Sequence, residues 1–256
     1  MTLQNFFTKY PKVALAFSGG VDSAFLLYNA KKYAKEVRSY YVQTAFQPKF
    51  EYEDAQRLVQ ELNVPLTVLK LDILSDSIVC SNPPDRCYYC KKKIFGAITK
   101  QATADGFTVL LDGTNADDDE ADRPGMKALR ELKVLSPLKE CGLTKTKIRE
   151  LSKEAGLFTW DKPAYACLAT RIQKGNELTK GRLSITERAE AFLMQEGFSD
   201  FRVRMFFNKD APALPCAKLQ LKADQLELFI ETRKTILQEL KTDYAQVLLD
   251  LETRDE

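Results

Sequence analysis

Short apolar runs alternate with longer amphipathic stretches through most of the chain, and this alternation predicts the architecture. Residues 13–17 (Val13, Ala14, Leu15, Ala16, Phe17), 37–42, 66–71 and 108–113 have the length and turn punctuation of buried strands. Between them, residues 23–35, 50–62 and 92–104 carry apolar positions at helical spacing. Strands that alternate with helices in this way form a parallel sheet with helices on both faces. Residues 134–138 read as a short strand closed by Pro137, and Thr144 as the N-cap of a helix over 145–155 that Gly156 stops. Beyond Gly175 and Asn176 the texture changes. A helix over 182–195, strands over 201–206 and 214–221, a helix over 224–240 and a strand over 245–251 make a small α+β unit. The expected organisation is an α/β domain over residues 1–175 and an α+β domain, for substrate binding or oligomerisation, over 176–256.

The first strand runs into Ser18, Gly19, Gly20, Val21, Asp22 and Ser23, which open a helix. A strand that turns through glycines into a helix N-terminus is an anion cradle. Its backbone N–H groups point at the ligand, the helix dipole favours negative charge, and glycine lets a phosphate approach closely. No Gly-Lys-Ser/Thr follows, so this is not a Walker loop. The pattern Ser-Gly-Gly-x-Asp-Ser resembles the pyrophosphate loop (PP-loop) of the ATP pyrophosphatases, the adenine nucleotide α-hydrolase-like superfamily. Ligands of open α/β sheets sit beyond the carboxyl ends of the strands. That places Gln43, Thr44 and Ala45 to read a base and puts Gly113, at the end of another strand, on the ligand side. The acidic loop of Asp117, Asp118, Asp119, Glu120 and Asp122 follows the same edge. Its carboxylates would hold Mg²⁺ and Arg123 would meet a phosphate, or the run is a solvated charged face.

Composition narrows the function classes. With 256 residues, 45 % of them hydrophobic and 29 % charged, the chain can bury a real core beneath a polar surface. A net charge of +2 without a Lys/Arg-rich run gives no reason to expect a nucleic-acid partner. No run approaches the roughly 18 apolar residues of a membrane span, and residues 1–12 do not read as a signal peptide. A cytoplasmic protein is expected. The absence of histidine excludes imidazole catalysis and His-ligated zinc. Proton transfer and nucleophilic work fall to carboxylates, lysines, thiolates or the substrate.

Of six cysteines, Cys87 and Cys90 form a Cys-x-x-Cys, and Cys167 stands apart near Thr170 and Arg171. Two thiolates at that spacing grip one metal centre. A third leaves one position open, the mark of a centre that does chemistry. A structural zinc site would need a fourth thiol from Cys80, Cys141 or Cys216, and a redox dithiol is a further reading. Arg202 and Arg204 alternate onto one face of a strand, where they suit a substrate phosphate, with Glu190 on the preceding helix. The competing reading is a surface ion pair between Glu190 and one arginine.

The string from Pro84 through Cys87, Tyr88, Tyr89, Cys90 and Lys91 resembles the LarE family of ATP-dependent sulfur transferases in nickel-pincer nucleotide biosynthesis. So do Asp112-Gly113-Thr114-Asn115, Asp122-Arg123-Pro124-Gly125, Ser136-Pro137-Leu138, Trp160-Asp161-Lys162-Pro163 and Ala166-Cys167-Leu168-Ala169-Thr170-Arg171. The resemblance implies that ATP, with Mg²⁺ held through Asp22, adenylates a carboxylate of pyridinium-3,5-biscarboxylic acid mononucleotide and releases pyrophosphate. Sulfur then displaces AMP. One branch of the family sacrifices a cysteine, here Cys167. The other holds a [4Fe–4S] cluster on three cysteines, and Cys87 and Cys90 beside Cys167 point to that branch. Gln173-Lys174-Gly175 departs from the Pro-Tyr-Gly of many relatives. The implied sites are Ser18 to Ser23, Thr44, Gly113 and Arg123 for ATP, and Thr170, Arg171, Glu190, Arg202 and Arg204 for the mononucleotide. Asp22 and Cys167 would be catalytic. A sulfide source and a homo-oligomer complete the expectation. Its rivals are a tRNA-thiolating PP-loop enzyme and a nucleotide-sensing module without chemistry.

Overall fold

The computed structural model describes residues 1–118, 124–208 and 211–254, with side chains left out at 211–213. The chain forms two compact units, residues 1–79 with 84–162, and residues 80–83 with 163–256. The first unit contains α1 (Leu3–Lys9), β1 (Lys12–Ala16), α2 (Val21–Tyr33), β2 (Glu36–Gln43), α3 (Lys49–Glu61) and β3 (Leu66–Lys70). After α4 (Ser77–Cys80) come α5 (Arg86–Ala104), β4 (Leu110–Leu111), α6 (Pro124–Glu131), α7 (Pro137–Glu140) and α8 (Lys145–Glu154).

The sheet order is β3-β2-β1-β4, and every pairing is parallel. Along β1 the side chains alternate between two cores. Val13 and Leu15 join Phe6, Leu26, Leu58 and Ile148 on one face, whereas Ala14 joins Phe95, Ile98, Met126 and Leu129 on the other. Helices therefore cover both faces, as the apolar runs predict. Each large apolar side chain so buried is worth about 1.5–3 kcal/mol relative to exposure, and Val13, Ala14 and Leu15 have no exposed surface.

The second unit contains α9 (Lys180–Gln195), β5 (Arg202–Asn208), β6 (Ala211–Gln220), α10 (Leu226–Leu240) and β7 (Gln246–Leu249). Its sheet order is β5-β6-β7, with β5 and β6 antiparallel and β6 and β7 parallel. The expected order of helix, strand, strand, helix, strand is present. The compact units divide at Lys162 and Pro163, ahead of the 175–176 boundary expected from composition. The reason lies in the main chain, because Met205 N–H donates to the Arg171 carbonyl and Gln173 N–H to the Met205 carbonyl.

Three expected elements differ. The helix expected from residue 92 begins at Arg86, directly after Pro83, Pro84 and the cap residue Asp85, so the cysteine pair lies on a helix rather than a loop. The strand expected over 108–113 pairs only at Leu110–Leu111, because the Asp112 carboxylate accepts from Thr114 N–H and turns the chain away. The strand expected over 134–138 is a single bridge, Leu111 to Leu135, and Pro137 starts α7 instead of closing a strand. A fixed φ and a missing N–H suit proline to the first helical position. Helix α1, not among the expected elements, is capped by Thr2 and buries Leu3, Phe6 and Phe7.

Tyr40 on β2 donates to Asp105 just beyond α5 at 2.8 Å, with Arg38 at 3.2 Å, and these contacts hold the Asp105 carboxyl below its ordinary value. Hydrogen bonds from Lys93 and Lys218 do the same for Asp76 and Asp250. A depressed carboxylate contributes stability above its unfolded pKa, about 4, and loses it as pH falls through the folded value. The melting temperature is therefore expected to hold down to about pH 5 and to fall below about pH 4. In a thermal melt series Asp105→Asn should flatten part of that fall, and an acid branch identical to wild type counts against this origin.

Candidate functional site

The loop after β1 has the geometry its glycines require. Gly19 sits at φ +76°, and a Cβ there would lie 3.1 Å from the Glu51 carbonyl oxygen. Gly20 is the N-cap of α2 and no side chain caps the helix. The first-turn N–H groups have no intrahelical acceptors, so they are available to an anion. The hydroxyls of Ser18 and Ser23 are 3.1 Å apart, and Ser23 also donates to the Gly20 carbonyl at 3.1 Å, which pins the loop. Gly113 packs against the same turn, where a Cβ would stand 3.0 Å from the backbone nitrogen of Ser23. Asp112 holds that segment in place, accepting from Thr114 Oγ1 at 2.6 Å and Ser136 Oγ at 2.7 Å.

Three residues given no site role from the sequence converge on the loop. Lys145, at the first position of α8, forms an ion pair with Asp22. Asn115 Nδ2 donates to the other oxygen of Asp22 at 3.4 Å. Lys162 donates to the Gly19 carbonyl at 3.4 Å and pairs with Asp54 at 2.6 Å. Two ammonium groups beside a helix N-terminus are an arrangement that suits a polyphosphate. The only trace of Lys145 in the sequence is its place after the cap residue Thr144, whereas Lys162 lies inside a motif already noted. From the acidic loop, Asp117 accepts from the Lys145 N–H at 2.7 Å and Asp118 from the Asn115 N–H at 3.1 Å, so these two carboxylates fix the cradle's backbone. Arg123, Asp119, Glu120 and Asp122 lie outside the described residues.

Beside the loop a cavity of about 130 Å³ is lined by Phe17, Tyr40, Val42, Gln47, Phe95 and Ile98. Thr44 is not among its lining residues. Its N–H and hydroxyl both donate to Gln47 Oε1, at 3.0 and 2.7 Å.

All six cysteines are thiols. Cys87 and Cys90 lie one turn apart at the start of α5, where the helix dipole favours anionic ligands, and Arg86 Nη2 is 3.8 Å from the Cys87 sulfur. Two thiols on one helix face suit two ligands of a single centre. Cys167 caps a 3₁₀ turn, Leu168–Thr170, in the second unit. Among the described residues, no three Cys, Asp or Glu side chains are gathered as a ready metal site. Burial pushes the thiols of Cys80 and Cys141 up, and Cys216 is buried in β6.

In the second unit Glu190 and Arg171 form a buried pair. Arg171 donates from Nε and Nη2 at 2.6 and 3.1 Å, and the two side chains are 2 % and 0 % exposed. Glu190 thus pairs with Arg171, and neither Arg202 nor Arg204 is its partner. Taking one member from such a pair typically costs about 3–5 kcal/mol. Arg202 donates to the carbonyls of Phe201 and Ala164, each at 2.6 Å, and burial holds its guanidinium down to about 10, still charged at neutral pH. Arg204 donates to Gln220 at 2.8 Å and to the Thr170 carbonyl at 2.6 Å. A cavity of about 670 Å³ in this unit is lined by Thr170, Arg171, Lys174, Arg204, Phe207 and Lys218.

The Gly113 contact is directly testable. Forcing a methyl group against backbone costs about 1–3 kcal/mol; where that cost falls on the loop's ligand-bound form, Gly113→Ala should weaken nucleotide binding roughly five- to 150-fold in calorimetry. Unchanged affinity would show that the loop does not depend on this close approach.

Comparison with known proteins fits this geometry. A family described as queuosine biosynthesis protein QueC matches residues 12–82, the stretch that holds the glycine loop. An uncharacterized protein of Synechocystis is 32 % identical over 90 % of this chain and 83 % of its own. A tRNA-specific 2-thiouridylase of Clostridium botulinum is 28 % identical over 59 % of this chain and 52 % of its own. The pyridinium-3,5-bisthiocarboxylic acid mononucleotide synthase of Lactiplantibacillus plantarum is 31 % identical over 94 % of this chain and 86 % of its own. Likeness of that extent, around a PP-loop built as described, makes this chain a member of the LarE family.

Proposed function

We propose that the protein is an ATP-dependent sulfur transferase that adenylates a carboxylate of a pyridinium-3,5-biscarboxylic acid mononucleotide and converts it to a thiocarboxylate. The observation that carries the reading is 31 % identity to the Lactiplantibacillus synthase over 94 % of the chain. The tRNA-thiolating alternative rests on a match over 59 % of the chain, against 94 % for the synthase, and a net charge of +2 gives no reason to expect an RNA partner.

A carboxylate is a poor electrophile until one oxygen becomes part of a leaving group. A substrate carboxylate oxygen attacks the α-phosphorus of ATP, the bond from that phosphorus to the bridging oxygen breaks, and pyrophosphate departs with its electron pair. Negative charge accumulates on the departing group, where the first-turn N–H groups of α2, Lys145 and Lys162 support it. Asp22 is the residue that would hold Mg²⁺, which supplies further charge neutralisation. The apolar slot beside Phe17 and Val42, with Gln47 at its edge, suits a purine ring. Sulfide then adds to the acyl carbon and AMP leaves with the carboxylate oxygen.

Cys87, Cys90 and Cys167 are assigned to a [4Fe–4S] cluster with one open iron, which when bound supplies that sulfide. Thiol chemistry on one helix face supports the first two ligands, and the family resemblance supports the third. The reading calls for a sulfide source and a reducing, cytoplasmic compartment, in keeping with six thiols and no disulfide. Among the described residues no helix is long and apolar enough to cross a membrane. Thr170 and Arg204 around the second-unit cavity are assigned to the mononucleotide, its phosphate taken by Arg204, with Arg171, Arg202 and Glu190 as the buried support of that wall.

Turnover should yield AMP and pyrophosphate in step with substrate, and Asp22→Asn should abolish both. Release of ADP and orthophosphate rejects the assignment. After anaerobic reconstitution, alanine at Cys87, Cys90 or Cys167 should bleach the iron–sulfur absorbance, whereas Cys216→Ala should not. A full cluster in an inactive Cys167→Ala protein would make Cys167 a sacrificial donor.

A further inference from the structure

The segment carrying Cys167 has no regular structure before its 3₁₀ turn; its main chain is held from β5, and its side chains are held from α9. Arg202 takes the Ala164 carbonyl and Arg204 the Thr170 carbonyl, so the two arginines anchor the backbone three residues before and three residues after Cys167. The Met205 N–H donates to Arg171 at 2.7 Å and the Gln173 N–H to Met205 at 3.1 Å, extending the seam along β5. Between the two anchors Tyr165 reaches Glu190. Its hydroxyl donates to Glu190 Oε2 at 2.5 Å, and its ring lies 4.5 Å from the Arg171 guanidinium and 5.6 Å from that of Arg202. The same carboxylate accepts from the Val203 N–H at 2.9 Å. A buried carboxylate needs both its charge and its lone pairs satisfied. Arg171 supplies the charge, while Tyr165 and Val203 supply further hydrogen bonds.

We infer that Tyr165 is a positioning residue for Cys167. Two residues ahead of the thiol, it is locked by a hydrogen bond to a buried carboxylate and by cation–π contact with two arginines. Cys167 itself caps the 3₁₀ turn, and its carbonyl accepts from the Thr170 N–H and hydroxyl at 2.9 and 2.8 Å. Tyr165 therefore sets the backbone on the N-terminal side of a sulfur whose far side the turn already fixes. A small misplacement of a reacting group lowers rate far more than affinity. The functional part of this inference rests on the proposed role of Cys167 in sulfur transfer. The geometric part does not.

The test uses the full-length chain without added iron, limiting iodoacetamide, and peptide mass spectrometry of Cys167, Cys80 and Cys216, all in the second unit. Tyr165→Phe keeps the ring and loses the hydroxyl, whereas Tyr165→Leu loses both. The Cys167 alkylation rate should rise roughly three- to tenfold in Tyr165→Leu and less in Tyr165→Phe, with Cys80 and Cys216 unchanged. In sulfur transfer, kcat should fall about tenfold in Tyr165→Leu with KM for ATP unchanged, and Tyr165→Phe should recover part of the loss. An unchanged Cys167 rate in Tyr165→Leu overturns the inference, as does a rise shared equally by all three cysteines. If Cys167 alkylation rises while kcat holds, Tyr165 still positions the segment and it is the assignment of Cys167 to the reaction that fails.

Discussion

A strand paired on both edges and buried on both faces has only its ends left for chemistry. That is the position of β1, flanked by β2 and β4 and with Val13, Ala14 and Leu15 wholly enclosed. The chain must leave its carboxyl end through a turn tight enough to start α2 at once, and Gly19 and Gly20 provide that turn. The neighbouring strand end at Gly113 then comes so near Ser23 that a side chain has no room. The anion cradle is in this sense a by-product of how β1 is enclosed in the sheet.

Charge is handled the same way in both units, by pairing before any ligand is considered. Asp22 holds Lys145, Asp54 holds Lys162, and Glu190 holds Arg171. The first two pairs are partly exposed, so their energetic worth is small and their value lies in keeping ammonium groups at a fixed address. The third is buried and works differently. It sets which way the β5 face and the Cys167 segment meet, and every lone pair it leaves unsatisfied would be costly.

Much of this was legible in the sequence wherever the signal is local. The apolar runs of β1, β2 and β3, the Thr144 cap of α8, and the order of elements in the second unit all follow from period and punctuation. So does the glycine loop, because its six positions are contiguous. What was hidden is long-range. Asn115, Lys145 and Lys162 reach the loop from 93 to 143 positions away, and no periodicity announces such a meeting. The helical start at Arg86 was masked by the two prolines before it, which read equally well as loop. Alternation along β5 places Arg202 and Arg204 on one face, yet it cannot say that Glu190 will choose Arg171, an arginine from an irregular segment.

The anchoring of residues 164–170 through carbonyl oxygens has a consequence for how such an enzyme diversifies. Arg202 and Arg204 take hold of the peptide backbone on either side of Cys167, and neither of these two hydrogen bonds depends on the side chain at position 167. Evolution can therefore exchange the residue at position 167 without redesigning the scaffold that presents it. A mount of this kind fixes where a side chain is presented and leaves open what that side chain is.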